Sequence, residues 1–395
     1  MRAGFSPWSL PDQPVKKLRV EETSTTDNRD QHMQKECQPR PKSLGSASVL
    51  PPTLLRGRGT QYGPALRFSL CVGVSLLLAM GTQSALGGNL DPPPGPIAPT
   101  MKPLSDVEPR IAVKTLSGSA TALHVISQAG SYYLTENITG GSGKHGIEIQ
   151  VAGVTLDLNG FELVGTAGSL NGVHIEEPNG TFTQGVRVRN GTISNWIRGI
   201  SADDNRIRQN VFESLLLREN SQWNLKAIHA TIRSCRTDGG GIRIEQGLVV
   251  GCAGRGGAVA LDASFARISE CDFDSPVILG SSMISETDIA ASGVSLTLND
   301  DNSVSNVRVR ETAGSGGASL LVQGDGNSVK CVTVTDGGIT VTGSSNLLVR
   351  NHVHGATVPF SIPAGNSFGP IVDVAGAGDL SSVANSEHPL ANLAY

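Results

Sequence analysis

Asp272, Asp274 and Asp288 are the residues whose spacing most directly suggests chemistry. "DFD" puts two carboxylates on one side of a short strand, because alternate residues point the same way, and Asp288 follows 16 positions after Asp272. If the two stretches lie side by side, the three carboxylates form an oxygen-rich set of the kind that holds a hard cation such as Ca2+. Arg308 and Arg310 repeat the alternation 20 positions beyond Asp288 and bring basic groups beside it. Cys235, Cys252 and Cys271 recur at intervals of 17 and 19, with no Cys-x-x-Cys pair to suggest zinc or redox chemistry. His352 and His354 share one side of a strand, but a two-imidazole metal site needs a third ligand, and the preceding repeat offers only Thr333 and Thr335. They read as surface residues.

For these groups to meet, the chain must return to the same place about every 20 residues, and its apolar pattern says that it does. "GVTLDLNGFELVG" (153–165) alternates about Asn159-Gly160 as a hairpin would. A hairpin would use the pattern once, whereas an apolar residue with a partner five positions on recurs at Leu158, Val188, Ile207, Ile232, Val249, Ile268, Ile284, Val304, Val329 and Leu348. Position +5 reads Leu163, Ile193, Phe212, Thr237, Gly254, Phe273, Ile289, Val309, Val334 and Val353. Most copies are followed by Gly, apolar, any residue, apolar, as in "GVHI", "GIRI" and "GITV", with "GIEI" upstream of the first. Such a period, carrying two or three short strands, is one turn of a solenoid whose coils bury their apolar sides only against each other. The 48 Gly in 395 residues, with 4% aromatics, fit an all-β chain that turns often, and Gly and Asn are expected at the corners, where positive φ is needed.

The frame predicts which side chains point inward. Position +3 holds Asn210, Cys235, Cys252, Cys271, Thr287, Val307, Val332 and Asn351, so three successive coils stack a cysteine at one interior site. Strand spacing of about 4.8 Å permits either a reduced, buried stack or a bridge from Cys252 to Cys235 or Cys271. Cys331 falls one place early and stays out of the stack. Positions +4 and +6 point outward and form a charged lateral face that includes the three aspartates and two arginines. On such a face opposite charges on neighbouring strands also pair without any function.

The repeat region resembles the right-handed parallel β-helix repeat proteins of the pectate-lyase-like superfamily, and within it the exported bacterial members of unknown function. The resemblance rests on "GSYYLTENITG" (130–140), "GVTLDLNGFELVG", "VRVRNGTISNWIRGI" and the ending near "HPLANLAY". It implies an all-β, right-handed solenoid, here of about ten coils over residues 109–372, with 110–128 capping the first coil and 373–395 a tail that folds over the last. It also implies a lyase-type use for the lateral face. Ca2+ on Asp272, Asp274 and Asp288 would acidify a uronate proton, and Arg308 or Arg310 would remove it. The hydrolase signatures "NTD", "GHG" and "RIK" are absent, and one fold of this kind hosts many activities.

Ahead of the repeats, residues 1–60 hold ten Lys/Arg and six Asp/Glu with no apolar periodicity, the composition of a disordered or mis-started extension. Residues 61–87 follow a signal-peptide layout: Arg67, a 13-residue apolar run, then Ala85-Leu86-Gly87. Cleavage there makes the protein secreted, periplasmic or cell-surface, whereas without cleavage residues 66–86 anchor it to a membrane. A Pro-rich linker fills 88–108. From residue 88 onward 20 Lys/Arg face 29 Asp/Glu, which argues against nucleic acid as a partner. The expected function is glycan or cell-surface binding on the lateral face. The alternatives are a polysaccharide lyase or glycoside hydrolase and a structural exoprotein.

Overall fold

In the computed structural model, described for residues 110–395 except 315 and 316, nearly every element is a strand of two to nine residues, and every strand pairing is parallel. Residues 1–109, with the expected extension, signal segment and linker, lie outside the described residues. The chain is a right-handed parallel β-helix.

Each coil has three sides. In the regular part, the first face is built from strands such as Arg267–Ser269 and Met283–Ser285. The second comes from strands such as Asp272–Asp274 and Asp288–Ala291, and the third from strands such as Leu261–Ser264 and Val277–Gly280. The first two faces join in one 24-stranded sheet, and the third is a separate sheet of 12 strands. The helix has about 14 turns rather than the expected ten. The apolar frame misses turns at both ends. Ile111–Ala112 already pairs with Gly130–Tyr133, and Ala122–Ile126 opens the third face, so residues 110–128 supply strands of their own.

The frame holds wherever the turn between first and second faces is short. Ile232, Val249, Ile268, Ile284, Val304, Val329 and Leu348 sit in register on successive strands and are buried. Two early assignments are corrected. Val188 pairs with Leu156 and Phe212, not with Leu158 and Ile207, and the +5 partner of Ile193 is Leu217. Ile207 belongs to Ile207–Arg208, which pairs with Thr183–Gln184 in a small side ladder. Ile207 and Phe212 are five apart, like a true first-face and second-face pair, so the insertion mimics the frame. Asn210 correspondingly leaves the +3 row, where Leu215 stands opposite Gly191.

The corner between first and second faces requires one residue in the left-handed region, where an L side chain costs on the order of 1 kcal/mol. Glycine and asparagine fill it at Gly251 (φ 61) and Asn306 (φ 53), but Ser234, Glu270, Glu286, Cys331 and Arg350 also occupy it at φ 49 to 59. Burial of the next residue, at position +3, offsets that strain. Cys235, Cys252 and Cys271 are such residues: all three are free thiols, at most 3% exposed. Their sulfurs donate to backbone carbonyls, Cys235 Sγ to Arg233 O at 3.4 Å and Cys271 Sγ to Ser269 O at 3.2 Å. Bonding to Cys252 and burial together push the thiols of Cys235 and Cys271 up, so both stay protonated at neutral pH.

Polar ladders run inside the corners as well. The backbone N–H of Ser282 donates to Asn302 Oδ1 (2.8 Å), that of Asn302 to Asn327 (2.9 Å), that of Asn327 to Asn346 (2.8 Å) and that of Asn346 to Asn366 (3.0 Å). A second ladder passes from Val332 N–H to Asn351 and from Asn351 N–H to Asn392, both at 3.0 Å. Asn392 lies in the tail, whose strand Asn392–Ala394 pairs with His352–His354 and with Ile371–Asp373. Val372, Val374 and Ala391 bury a small core of their own there.

Candidate functional site

The second face carries the aspartates and arginines in the predicted register: Asp272 opposite Asp288, and Asp288 opposite Arg308. Its charges pair. Arg255 Nε lies 3.2 Å from Asp274, and Arg308 lies 3.6 Å from Asp288. Among the described residues no group of three or more His, Cys, Asp or Glu is placed to hold a metal ion. Arg310 stands opposite Thr335, and His352 and His354 project from the last full coil, where His354 meets the Tyr395 ring at 5.1 Å. Ion pairs of this kind between exposed groups are each worth little in water.

A different cluster is more sequestered. It sits on the third face of the early coils, on strands His145–Ile149, Asn171–Ile175, Arg198–Ala202 and Trp223–Ile228. One outward row runs Glu148, His174, Ser201, Lys226, and a second runs His145, Asn171, Arg198, Trp223. The rings of His145 and His174 stack with centroids 4.3 Å apart at 17°. Beside His174 a depression of about 280 Å³ is lined by Glu176, Glu177, Asp203, Asp204 and Ile207. The side ladder places Ile207 there.

Glycine and tryptophan set these strands. Trp196 is buried and donates its indole N–H to Leu163 O at 3.0 Å. A Cβ on Gly146 would lie 3.0 Å from its ring, and one on Gly172 3.2 Å from the ring and 2.5 Å from Ile193 Cγ2. Only glycine lets the strands carrying Glu148 and His174 settle onto the indole.

The hydrogen bonds define each group's state. Asn171 N–H donates to His145 Nδ1 at 3.2 Å, and the Asn171 amide lies 3.4 Å from His174 Nδ1. In both imidazoles Nδ1 therefore accepts and Nε2 carries the proton. Burial first, and then the charge that a protonated His174 would carry, lower His145 to about 4 against the opposing pull of Glu148. Burial also lowers His174, while Glu148, Glu176 and Asp203 pull it back up. Both rings are neutral at pH 7. Burial works against the charge of Asp203, but the bonds from Lys226 Nζ (2.6 Å) and Ser201 Oγ (2.7 Å), with Arg198 at 3.5 Å, hold it below the usual carboxylate range. Glu148 is 3% exposed and accepts from Thr121 Oγ1 at 3.1 Å and from Gln150 Nε2, which also reaches Glu176 at 3.5 Å. Glu177 pairs with Arg206 at 2.9 Å. The result is an open hollow offering fixed carboxylate acceptors, imidazole N–H donors and one flanking indole.

The sequence frame passed over this cluster because its coils repeat at 25 to 27 residues. The signal was nevertheless in "GIEI" and "GVHI", whose variable third positions are Glu148 and His174.

No protein-family model matches the chain, and no curated protein does either. Among solved structures it is similar to the A-module of the Azotobacter vinelandii mannuronan C-5 epimerase AlgE4, at 12% identity and TM-score 0.44, over 65% of this chain and 99% of that one. It is also similar to the AlgE6 A-module of the same organism, at 11% identity and TM-score 0.32, over 66% and 99%. The Agl-KA catalytic domain overlays at 11% identity and TM-score 0.29, over 65% and 68%. Those activities belong to those proteins.

Proposed function

We propose that the third face of the early coils binds a neutral, hydroxyl-rich ligand of the glycan class, without covalent chemistry. The observation that carries this reading is the stacked, uncharged His145–His174 pair set between Glu148 and the Glu176–Asp203 hollow. Vicinal hydroxyls are donors and acceptors at once, which suits a surface alternating carboxylate oxygens with Nε2–H groups. The half-exposed indole of Trp223, three strands from His145, adds an apolar plate for a sugar ring. Asp203 is held ionised by Lys226 and Arg198, so it serves as an acceptor, and the carboxylates around the hollow oppose an anionic uronate chain. The signal-like layout of residues 61–87 supports export, where such a ligand would be met.

Calorimetry on the full chain with neutral and uronate oligosaccharides tests the reading. Saturable binding of a neutral oligosaccharide, weakened about tenfold or more in His174→Ala, is the expected result. Binding that survives His174→Ala and Glu176→Gln unchanged would place the ligand elsewhere, and turnover of the sugar would replace binding by catalysis.

A further inference from the structure

One asparagine holds both rings of the histidine pair. Asn171 donates its backbone N–H to His145 Nδ1 at 3.2 Å and presents its side-chain amide to His174 Nδ1 at 3.4 Å. Acid acts differently on the two contacts. The backbone N–H is fixed, because the strand Asn171–Ile175 is paired on both sides, with His145–Ile149 and with Arg198–Ala202. A proton on His145 Nδ1 would therefore set two donors face to face. The side-chain amide can rotate about its last bond and offer oxygen to a protonated His174. With ring centroids 4.3 Å apart, a charge on one imidazole also opposes a charge on the other.

The surrounding charges select the same ring. His174 faces Glu148 from the preceding strand, Glu176 just beyond its own and Asp203 just beyond the following one, while Arg198 opposes them. Glu177 and Asp204 complete the acidic rim of the hollow. At His145, Glu148 is the carboxylate that favours a proton. The preceding strand, Ala122–Ile126, brings His124, whose Nδ1 lies 3.0 Å from Leu116 O, and Lys144 donates from Nζ to Ser119 O at 2.8 Å.

Resting on the glycan-binding reading, we infer that the histidine pair is a one-proton acid sensor: His174 takes the proton, His145 stays neutral against the Asn171 N–H, and the ligand is released. The imidazolium is drawn to Glu148 and Glu176, whose oxygens otherwise receive ligand hydroxyls, so proton and sugar compete for the same acceptors. Asn171 is a positioning residue here, because its amide sets how readily His174 accepts the proton.

Two measurements on the full chain test the sensor. Imidazole NMR titration, with resonances assigned from His145→Asn and His174→Gln, should show His174 protonating first and His145 only at lower pH. Asn171→Asp sets a carboxylate beside His174 Nδ1 and should raise the His174 midpoint by about one pH unit or more, a shift that a purely structural role would not produce. Calorimetry with a neutral oligosaccharide should give a Kd that is level above the His174 midpoint and rises about tenfold per pH unit below it, the slope of a single proton. Rings that titrate together, His145 titrating first, or a midpoint unmoved in Asn171→Asp would overturn the sensor. No heat at pH 7.5 with any neutral oligosaccharide sinks the glycan reading and the release with it. Saturable binding at pH 7.5 that is undiminished one unit below the measured His174 midpoint sinks the release alone.

Discussion

At the scale of single residues the interior is tolerant in chemistry and intolerant in volume. Gly254 occupies the +5 row directly beneath Phe273, and a Cβ there would lie 2.9 Å from the Phe273 ring. Gly254→Ala should therefore destabilise the protein by about 1–3 kcal/mol, read as a lower denaturation midpoint in urea, although alanine is ordinarily the better strand residue. The histidine pair makes a pH prediction. Both folded-state pKa values lie below the ordinary one, that of His145 at about 4. The unfolded chain therefore binds protons more readily than the native one, and the stability tied to the neutral rings is complete above pH 6.5 and is lost as pH falls toward 4. Thermal melts from pH 7.5 to 4 should decline through that window, and His145→Asn should flatten the decline. A His145→Asn profile as steep as the wild type would remove the histidine from the account.

At the scale of the element, corners and ladders matter more than individual strands. Strands of three residues have little stability alone, and each is held by the coils on both sides. Asn327 accepts from Asn302 N–H and fixes the corner at both Gly324 and Asn346. Asn327→Ala leaves a buried donor unmet and should cost about 1–3 kcal/mol, with amide exchange accelerated in the neighbouring coils and unchanged near His174. The cysteine row makes a separate prediction. Because Cys235, Cys252 and Cys271 are free and buried, a thiol reagent should leave them unmodified in the native protein and react once it is unfolded. Reaction at native rates typical of exposed cysteine would contradict the buried stack.

At the scale of the molecule the open ends of the solenoid are the liability, since an unpaired sheet edge invites association. Asn392–Ala394 closes the second face, and Asn392 caps the asparagine ladder at Asn351. Removing residues 386–395 should expose Val372 and Val374, lower the melting temperature and promote aggregation, detected by light scattering. Unchanged solubility would mean that the tail covers nothing essential. The three faces differ. The second carries ion pairs between neighbouring coils, the third holds the polar hollow in the early coils, and the first is rich in serine in the regular coils.

Much of this was written in the sequence because a solenoid converts linear period into spatial register. The run from Ile232 to Leu348, the inward row containing Cys235, Cys252 and Cys271, and the outward pairing of Asp288 with Arg308 all follow from counting residues. Counting failed where the coils lengthen. Ile207 and Phe212 preserve the spacing of the frame while belonging to different ladders, and Leu158 lies two residues past the position that pairs. Only the tertiary structure joined His145, Glu148, His174 and Asp203, because it set coils of 25 to 27 residues in register and fitted Gly146 and Gly172 over one buried indole. Apolar periodicity records which side chains must leave water, whereas the meeting of polar groups from unequal coils depends on how the extra residues are looped out, and no periodic pattern encodes that.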